Sequence, residues 1–474
     1  MTDRKRALGS ATFLSLIHHV EPAMPPVAPY FDFDALPVEL QILVLEFYLP
    51  ERPNITMSPK EDNLMDLSLV CRKWLGIVST TGTLWAKMSI AIGEKETYVA
   101  RSQAICRRLE HWLALSKSCP LSIRFSYSCD HSKLPTSSVC IRAERLGLQV
   151  VAMLGRHASR WQHMEYQCPS TLLRSFSSVE GGEPSSFPRL CGFSLDVTGT
   201  RATSSAVDAR DLPLPLSRLT QLNLITDYNR LLSLKECLDL LSQCPRLQHS
   251  SFNLICDDEI VAAHPRPHCE LRSLQIQLRS SGTSEGEKPL SLKRVAQFLE
   301  MLRVGELAQL YLECMGDTVP CGAPRLAQAI ARCANLLSLK LHDLPMAGDE
   351  IIACLQGMNR LTTLSLSYPM WRMGEGHSPV TQDFLRAIGQ RVQGGQLKTV
   401  RLVSPCPDLG EEDVMRFVSA YIAGNGEGDA RPRSFRLGWE KTPSSQLRRW
   451  VDDSRAHYGD LDLVITRFRY GWDS

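Results

Sequence analysis

The sequence predicts an α/β protein in which a small N-terminal helical unit precedes a long series of strand–helix repeats with a mainly parallel sheet. The chain has 474 residues, more than one compact domain usually holds. The letters LPVELQILVLEFYLP at residues 36–50 predict a short helix with almost no polar side. From residue 161 onward an L-x-x-L-x-L pattern returns every 24 to 36 residues, which indicates a repeat architecture.

The composition is that of a folded soluble protein, with 43% hydrophobic and 22% charged residues. A net charge of +2 gives no electrostatic reason to expect nucleic acid or an anionic membrane as partner. No apolar run reaches the roughly 18 residues of a membrane-spanning helix. The 16 cysteines include no CxxC pair, so we expect reduced thiols packed as small hydrophobes. This cysteine usage predicts a reducing compartment, cytoplasmic or nuclear.

The first predicted helix, within residues 36–50, carries apolar side chains on two nearly opposite sides. Pro37 suits the first helical turn, and Pro50 ends the helix. On a helical wheel one stripe consists of Val38, Ile42, Leu45 and Leu49, and the other of Leu40, Leu43 and Phe47. Such a helix is either a buried core helix or one shared between its own core and a partner.

A second helix is predicted over residues 63–80, followed by a break at Thr81-Gly82 and a strand at residues 84–92. Its apolar stripe consists of Leu64, Leu67, Cys71, Trp74 and Val78. A unit of this size buries little of itself. Four or five large apolar side chains left in water would each forfeit about 1.5–3 kcal/mol, which favours a partner protein.

These residues resemble an F-box, in the variant with a loop insertion that is common in fungal F-box proteins. The match runs through LP-x-E-L at residues 36–40, DLSLVCRKW at residues 66–74 and the pair Leu84-Trp85. The resemblance implies docking onto the Skp-family adaptor of a cullin–RING ubiquitin ligase. It implies these adaptor-binding residues: Leu36, Pro37, Glu39, Leu40, Leu43, Val70, Cys71, Arg72, Trp74 and Trp85. The alternative is an amphipathic helical hairpin that only forms core.

The repeating element recurs in the order LCGFSL, LTQLNL, LRSLQI, LAQLYL, LLSLKL, LTTLSL and LKTVRL, starting at residues 190, 219, 271, 307, 336, 361 and 397. Variants start at Trp161 and Leu247, and helical patterns fill several gaps. One strand and one helix per unit cannot bury their apolar sides alone, whereas stacked units share a continuous core. The pattern is similar to leucine-rich repeats, which implies a horseshoe-shaped solenoid. Asp227, Leu344 and Pro369 replace the expected asparagine, so the repeats are irregular. The alternative is chance spacing in a globular α/β domain.

Three segments follow from this interpretation: a disordered tail at residues 1–30, the F-box-like helical domain at residues 31–92 and the solenoid at residues 93–474. Residues 105–125 predict a helix and a strand that form an atypical first repeat. Residues 461–472 predict a last strand that caps the stack.

No nucleophile elbow, phosphate-binding loop, zinc-protease or calcium-loop motif occurs, so no catalytic residue, cofactor or metal is expected. The sequence instead predicts a protein-binding surface on the outward side of the strands. Its client-binding candidates are Asp196, Asn223, Gln275, Tyr311, Glu313, Lys340, His342 and Arg401. The leading hypothesis is therefore a substrate receptor that binds the adaptor and, through it, a cullin, and presents a protein client. A binding scaffold without a ligase is the alternative, and an enzyme is the weakest hypothesis.

Overall fold

We describe the protein from a computed structural model. The structure describes residues 33–56, 63–93, 100–128, 138–169, 172, 187–197, 212, 214–226, 231–256, 267–279, 292–315, 323–368, 378–393, 397–404, 409–423, 434–439, 442–457 and 461–467. The predicted tail at residues 1–30 lies outside the described residues. Among the residues that are described, no helix combines the length and the apolar character needed to cross a bilayer.

Helices and strands alternate along most of the described chain. The helices are α1 (Val38–Tyr48), α2 (Asn63–Val70), α3 (Arg72–Thr80), α4 (Ser102–Leu115), α5 (Ser138–Gly155), α6 (Leu234–Ser242), α7 (Leu292–Met301), α8 (Pro324–Ala331), α9 (Gly348–Gln356), α10 (Gln382–Gln393), α11 (Glu411–Ala423) and α12 (Ser445–His457). The strands are β1 (Lys87–Gly93), β2 (Leu121–Ser128), β3 (Trp161–Cys168), β4 (Gly192–Val197), β5 (Gln221–Ile225), β6 (Leu232–Ser233), β7 (His249–Ile255), β8 (Ser273–Arg279), β9 (Gln309–Met315), β10 (Ser338–His342), β11 (Thr363–Ser367), β12 (Thr399–Val403), β13 (Ser434–Trp439) and β14 (Asp462–Arg467).

The strands form one open 14-stranded sheet in which neighbours follow chain order, with short β6 pairing beside β7. Every strand pair is parallel. A helix lies between most consecutive strands, as parallel strands require a crossover connection. This arrangement confirms the predicted α/β class and the mainly parallel sheet.

The repeating leucines produce this core as predicted. Each L-x-x-L-x-L element begins just before a strand, and its second and third apolar residues alternate inward along that strand. In β10, for example, Leu339 and Leu341 are buried whereas Lys340 is exposed. The inward side chains share one apolar cluster with the buried faces of the helices, from α1 to α12. The opposite, polar face of the sheet, which we call the sheet face, is consequently the surface that the repeats present.

The predicted helix over residues 63–80 is wrong in one respect, because the structure divides it into α2 and α3. Cys71 has an extended backbone between them, with φ −160° and ψ 169°, and its thiol accepts a hydrogen bond from the Trp74 N–H at 3.4 Å. Cys71 therefore caps α3 instead of continuing a single apolar stripe. The stripe predicted through Cys71 fails for the same reason, since the direction of the chain changes there.

The N-terminal helical region is joined to the sheet through its own residues. The predicted strand at residues 84–92 begins at Lys87 and is the first strand of the sheet, paired with β2. Asn54, in the segment after α1, forms a parallel bridge with Ser89 of β1. This bridge covers part of the free edge of β1, which would otherwise present unpaired backbone groups. The predicted domain boundary at residue 92 falls inside β1 and stays a prediction.

Candidate functional site

Helix α1 exposes most of its apolar side chains. Leu45 is only 1% exposed and anchors the helix to the core, whereas Phe47 is 93% exposed. The exposed set comprises Val38, Leu40, Leu43, Val44, Phe47 and Tyr48. The predicted second stripe of Leu40, Leu43 and Phe47 thus faces outward. Of the first predicted stripe, Leu45 is buried, Ile42 and Leu49 are half-buried, and Val38 is exposed. One side of the helix therefore packs on its own chain and the other does not.

The start of α1 is fixed by a local hydrogen bond. Pro37 takes the N-cap position, just before the first helical turn, and has no side chain that could cap the helix. Gln41, which is buried, donates a hydrogen bond from its side-chain amide to the carbonyl oxygen of Leu36 at 2.7 Å. Pro37 and Glu39 are both exposed beside this turn. The turn holds the predicted LP-x-E-L residues in one defined conformation at the surface.

The corner between α2 and α3 carries a second set of exposed apolar side chains. Leu69 is 82% exposed, and Val70 and Leu75 are exposed on either side of Cys71. Cys71 and Arg72 are exposed as well. Leu69 and Val70 lie off the apolar stripe of the predicted helix, and that position was the sequence signal for their exposure. Leu75, like Val44 and Tyr48 of α1, was not among the predicted adaptor-binding residues.

The two tryptophans of the predicted site have different environments. Trp74 is half-buried, and its ring lies 5.1 Å from the ring of Phe33. Trp85 is only 2% exposed, donates its indole N–H to the carbonyl oxygen of Val78 at 2.7 Å, and meets Trp112 edge-on at 4.7 Å. Trp85 is therefore a core residue that joins the helical region to α4. Its assignment as a surface contact for an adaptor is corrected, because a side chain this deeply buried cannot touch a docked partner.

An ion cluster ties the segment after α1 to the sheet face. Glu165 of β3 lies 2.5 Å from Arg52 and 2.5 Å from Arg124 of β2, each guanidinium taking a different carboxylate oxygen. Burial disfavours the charged carboxylate, but hydrogen bonds and charge from the two arginines outweigh this and lower the pKa of Glu165. Together with the Asn54–Ser89 bridge, this cluster attaches the segment after α1 to the first strands of the sheet.

The Glu165 cluster is expected to give the protein an acid-sensitive component of stability. Because the folded-state pKa is lowered from its ordinary value of 4.5, the stabilisation is present above that pH and is lost as the pH falls through the folded pKa. We expect the difference in free energy of unfolding between wild type and Glu165→Gln to shrink from neutral pH to pH of about 3. Urea unfolding at several pH values measures it. A difference that is independent of pH would contradict the assignment.

The eight predicted client-binding residues lie on the sheet face in two neighbouring rows. The first row contains Asn223, Gln275, Tyr311, Lys340 and Arg401. The register aligns these residues across the strands, with Ser251 of β7 between Asn223 and Gln275 and Ser365 of β11 between Lys340 and Arg401. The second row, two residues further along each strand, contains Asp196, Glu313 and His342. The register brings the eight residues onto one face. At β7 the accessible surface is interrupted, because Ser251 is buried and Asn253 is only 1% exposed.

Tyr311, Glu313 and His342 form a hydrogen-bonded group near the middle of this surface. The Tyr311 hydroxyl donates to Glu313 at 2.8 Å and lies 3.1 Å from Nδ1 of His342, whose ring meets the tyrosine edge-on. Burial lowers the pKa of His342, and the charges of Arg401 and Lys340 add to this against the opposing effect of Glu313. Burial and the hydrogen bond to Glu313 raise the pKa of Tyr311. The hydrogen bonds and the ring contact hold the three side chains in fixed positions on the sheet face.

Arg436 belongs to the sheet face but is not among the predicted client-binding residues. It continues the first row onto β13, beside Arg401, and donates two hydrogen bonds to one carboxylate oxygen of Asp462, at 2.9 and 2.7 Å. The strand SFRLGW does not match L-x-x-L-x-L, so the repeat pattern does not predict it. Its alternation of apolar and other residues was the available signal.

One cysteine–histidine contact in the described part of the chain does not have the electrostatics of a catalytic pair. The Cys191 thiol lies 3.6 Å from Nε2 of His163. Burial raises the pKa of Cys191 and lowers that of His163, so both groups are held neutral, unlike an activated thiolate–imidazolium pair. The described residues also contain no group of three or more side chains placed to hold a metal ion.

Comparison with protein families matches one part of the chain. Residues 33–91 match the F-box-like family model. A search of curated proteins finds no match. The N-terminal helical region is thus F-box-like, which supports binding to a Skp-family adaptor and a role in a ubiquitin ligase; F-box proteins are generally non-catalytic adaptors. The match ends within β1, so the resemblance of the sheet to leucine-rich repeats, its horseshoe curvature and the fungal type stay predictions.

Proposed function

We propose that this protein is the substrate-recognition subunit of an SCF-type cullin–RING ubiquitin ligase. Its F-box-like region would bind the Skp-family adaptor, and its sheet face would bind a protein client for ubiquitination. The observation that carries the proposal is the outward apolar side of α1, which lies inside the matched residues. In this role the chain contributes proximity and orientation, and the other subunits supply the chemistry.

The energetics of α1 favour a protein partner over exposure to water. Leu43 and Phe47 gain about 1.5–3 kcal/mol each when an interface removes them from water. Isolated exposed apolar residues are ordinary, but Leu40, Leu43, Val44 and Phe47 share one side of a short helix and form a patch of the kind that marks interaction sites. Leu69 and Val70 offer further apolar area at the α2–α3 corner. The adaptor would bury this surface in the cytoplasm or the nucleus, the reducing compartments that the cysteine usage predicts.

A binding scaffold without a ligase is the second candidate. The observation that favours it is the connection of the helical region to the sheet, through the Asn54–Ser89 bridge and the Arg52–Glu165 ion pair. These contacts would let the helices serve as a cap on the sheet. A cap alone, however, leaves the outward side of α1 uncovered.

Co-elution with the adaptor tests the proposal. The purified chain, mixed with a Skp-family adaptor, is expected to elute from a size-exclusion column as a complex that also recruits a cullin. A chain that stays a monodisperse monomer at micromolar adaptor would favour the scaffold instead. For substitutions on the outward side of α1, Leu337→Asp is the matched control. Leu337 is another exposed leucine, but it lies beside β10, far along the sheet from the helical region.

A further inference from the structure

Positive charge accumulates on one part of the sheet face. Lys340, Arg401 and Arg436 occupy the same register row on β10, β12 and β13, with Ser365 of β11 between the first two. The three cationic side chains are exposed. Neighbouring strands lie about 4.8 Å apart, so this cationic row, as we call Lys340, Arg401 and Arg436, extends over roughly 15 Å.

Most nearby acidic groups are already engaged. Glu313 accepts hydrogen bonds from Tyr311 and Gln277, both at 2.8 Å. Asp462 accepts from Arg436 and Ser434. Among the described residues, no hydrogen bond or ion pair is recorded for the side chains of Lys340 and Arg401. Two cations on a rigid sheet are therefore available to an external anionic group.

We propose that the cationic row binds an acidic segment of the protein client through its aspartate or glutamate carboxylates. The inference deepens the proposed function, on which it rests for the existence of a client. A peptide in the polyproline II conformation has three residues per turn and a rise of about 3.1 Å per residue, so residues three positions apart lie on the same side about 9 Å from each other. This spacing matches the separation of β10 and β12, which is about 10 Å. Carboxylates at that spacing reach Lys340 and Arg401 together, and arginine's planar fork suits a carboxylate.

The polar surroundings of the row suit a peptide. Ser338, Thr363 and Thr399 lie in the next row of the same strands and offer hydroxyl groups to a peptide backbone. Nucleic acid fits less well, because the sheet face also carries Glu165 on β3 and Asp196 on β4, and the whole chain has a net charge of only +2. A long polyanion would meet both signs along the sheet, whereas a short acidic segment meets mainly cations.

Fluorescence anisotropy with the full-length chain tests the inference. The probe is a labelled oligoglutamate peptide, with oligoglutamine of the same length and a single-stranded DNA oligonucleotide as comparisons. Oligoglutamate is expected to bind wild type with an affinity that falls as salt rises, and oligoglutamine is not. Lys340→Glu/Arg401→Glu is expected to weaken oligoglutamate binding at least about tenfold. Arg436 is left in place, because its loss would also free Asp462.

The matched control variant is Lys235→Glu/Arg325→Glu, an identical charge change at two exposed residues on α6 and α8. It is expected to bind oligoglutamate as wild type does. Equal weakening by both variants, tighter binding of DNA than of oligoglutamate, or no oligoglutamate binding would each overturn the inference. Adaptor co-elution of the same proteins tests the proposed function separately. The cationic row lies on β10, β12 and β13, which are far along the sheet from β1, the strand that follows the helical region. Circular dichroism melts verify that each variant is folded.

Discussion

Leu43→Asp/Phe47→Asp is expected to weaken adaptor binding by about two to four orders of magnitude. Each side chain would lose about 1.5–3 kcal/mol of apolar burial at the interface, and tenfold in affinity corresponds to 1.4 kcal/mol. The introduced carboxylates would also have to be desolvated, which adds to the loss. Titration calorimetry with the purified adaptor measures the change.

The same double substitution should leave the free chain intact. Both side chains are exposed in the structure, so the free energy of unfolding is expected to change by no more than about 0.5 kcal/mol per site. Leu337→Asp, the control, should affect neither property. Unchanged adaptor affinity in the double variant would contradict the assignment of this face. A large loss of stability would instead mean that the outward side of α1 contributes to the fold.

Trp85→Ala is expected to lower the free energy of unfolding by about 3–5 kcal/mol, the usual effect of removing a buried tryptophan. The indole fills the core between α3 and α4, makes the hydrogen bond to Val78 and packs edge-on against Trp112. Its loss would leave a cavity and an unsatisfied carbonyl group in the region that joins the helices to the sheet. Urea unfolding measures the difference.

Phe47→Ala is the natural comparison for Trp85→Ala, because it removes a large aromatic side chain from the surface of the same region. We expect it to leave stability nearly unchanged while it weakens adaptor binding. If Trp85→Ala reduced adaptor affinity without reducing stability, Trp85 would be a contact residue after all. The two variants thus distinguish a buried aromatic residue that stabilises the fold from an exposed one that binds the adaptor. The F-box signature alone does not make this distinction.

The repeat pattern was sufficient to predict the sheet because its physics is local. Every L-x-x-L-x-L start coincides with the entry to a strand, and alternation along the strand determines which residues face the core. The register of parallel neighbours then aligns the outward residues, so candidates such as Tyr311 and Lys340 could be identified before the structure. β13 was missed because SFRLGW keeps the alternation but lacks the leucine spacing.

The N-terminal region was harder to predict because its details depend on tertiary contacts. Helical periodicity runs without interruption through Cys71, yet the chain changes direction there and the thiol caps α3. Trp85 carries a recognisable signature position, but only the packing of Trp112 shows that it is buried. Arg52 and Glu165 are far apart in the sequence, and no local pattern connects them. Side-chain pairing of that kind follows from the fold and is not visible in composition or spacing.

Hydroxyl-radical footprinting of the chain with and without the Skp-family adaptor tests the central claim most directly, since the method reports the solvent exposure of aromatic side chains. Phe47 and Tyr48 are both exposed in the free protein and should be oxidised readily. Adding the adaptor is expected to reduce their oxidation severalfold, while buried Trp112 remains unreactive in both states. Oxidation of Phe47 and Tyr48 that stays the same at saturating adaptor would contradict the claim that this partner covers the outward side of α1.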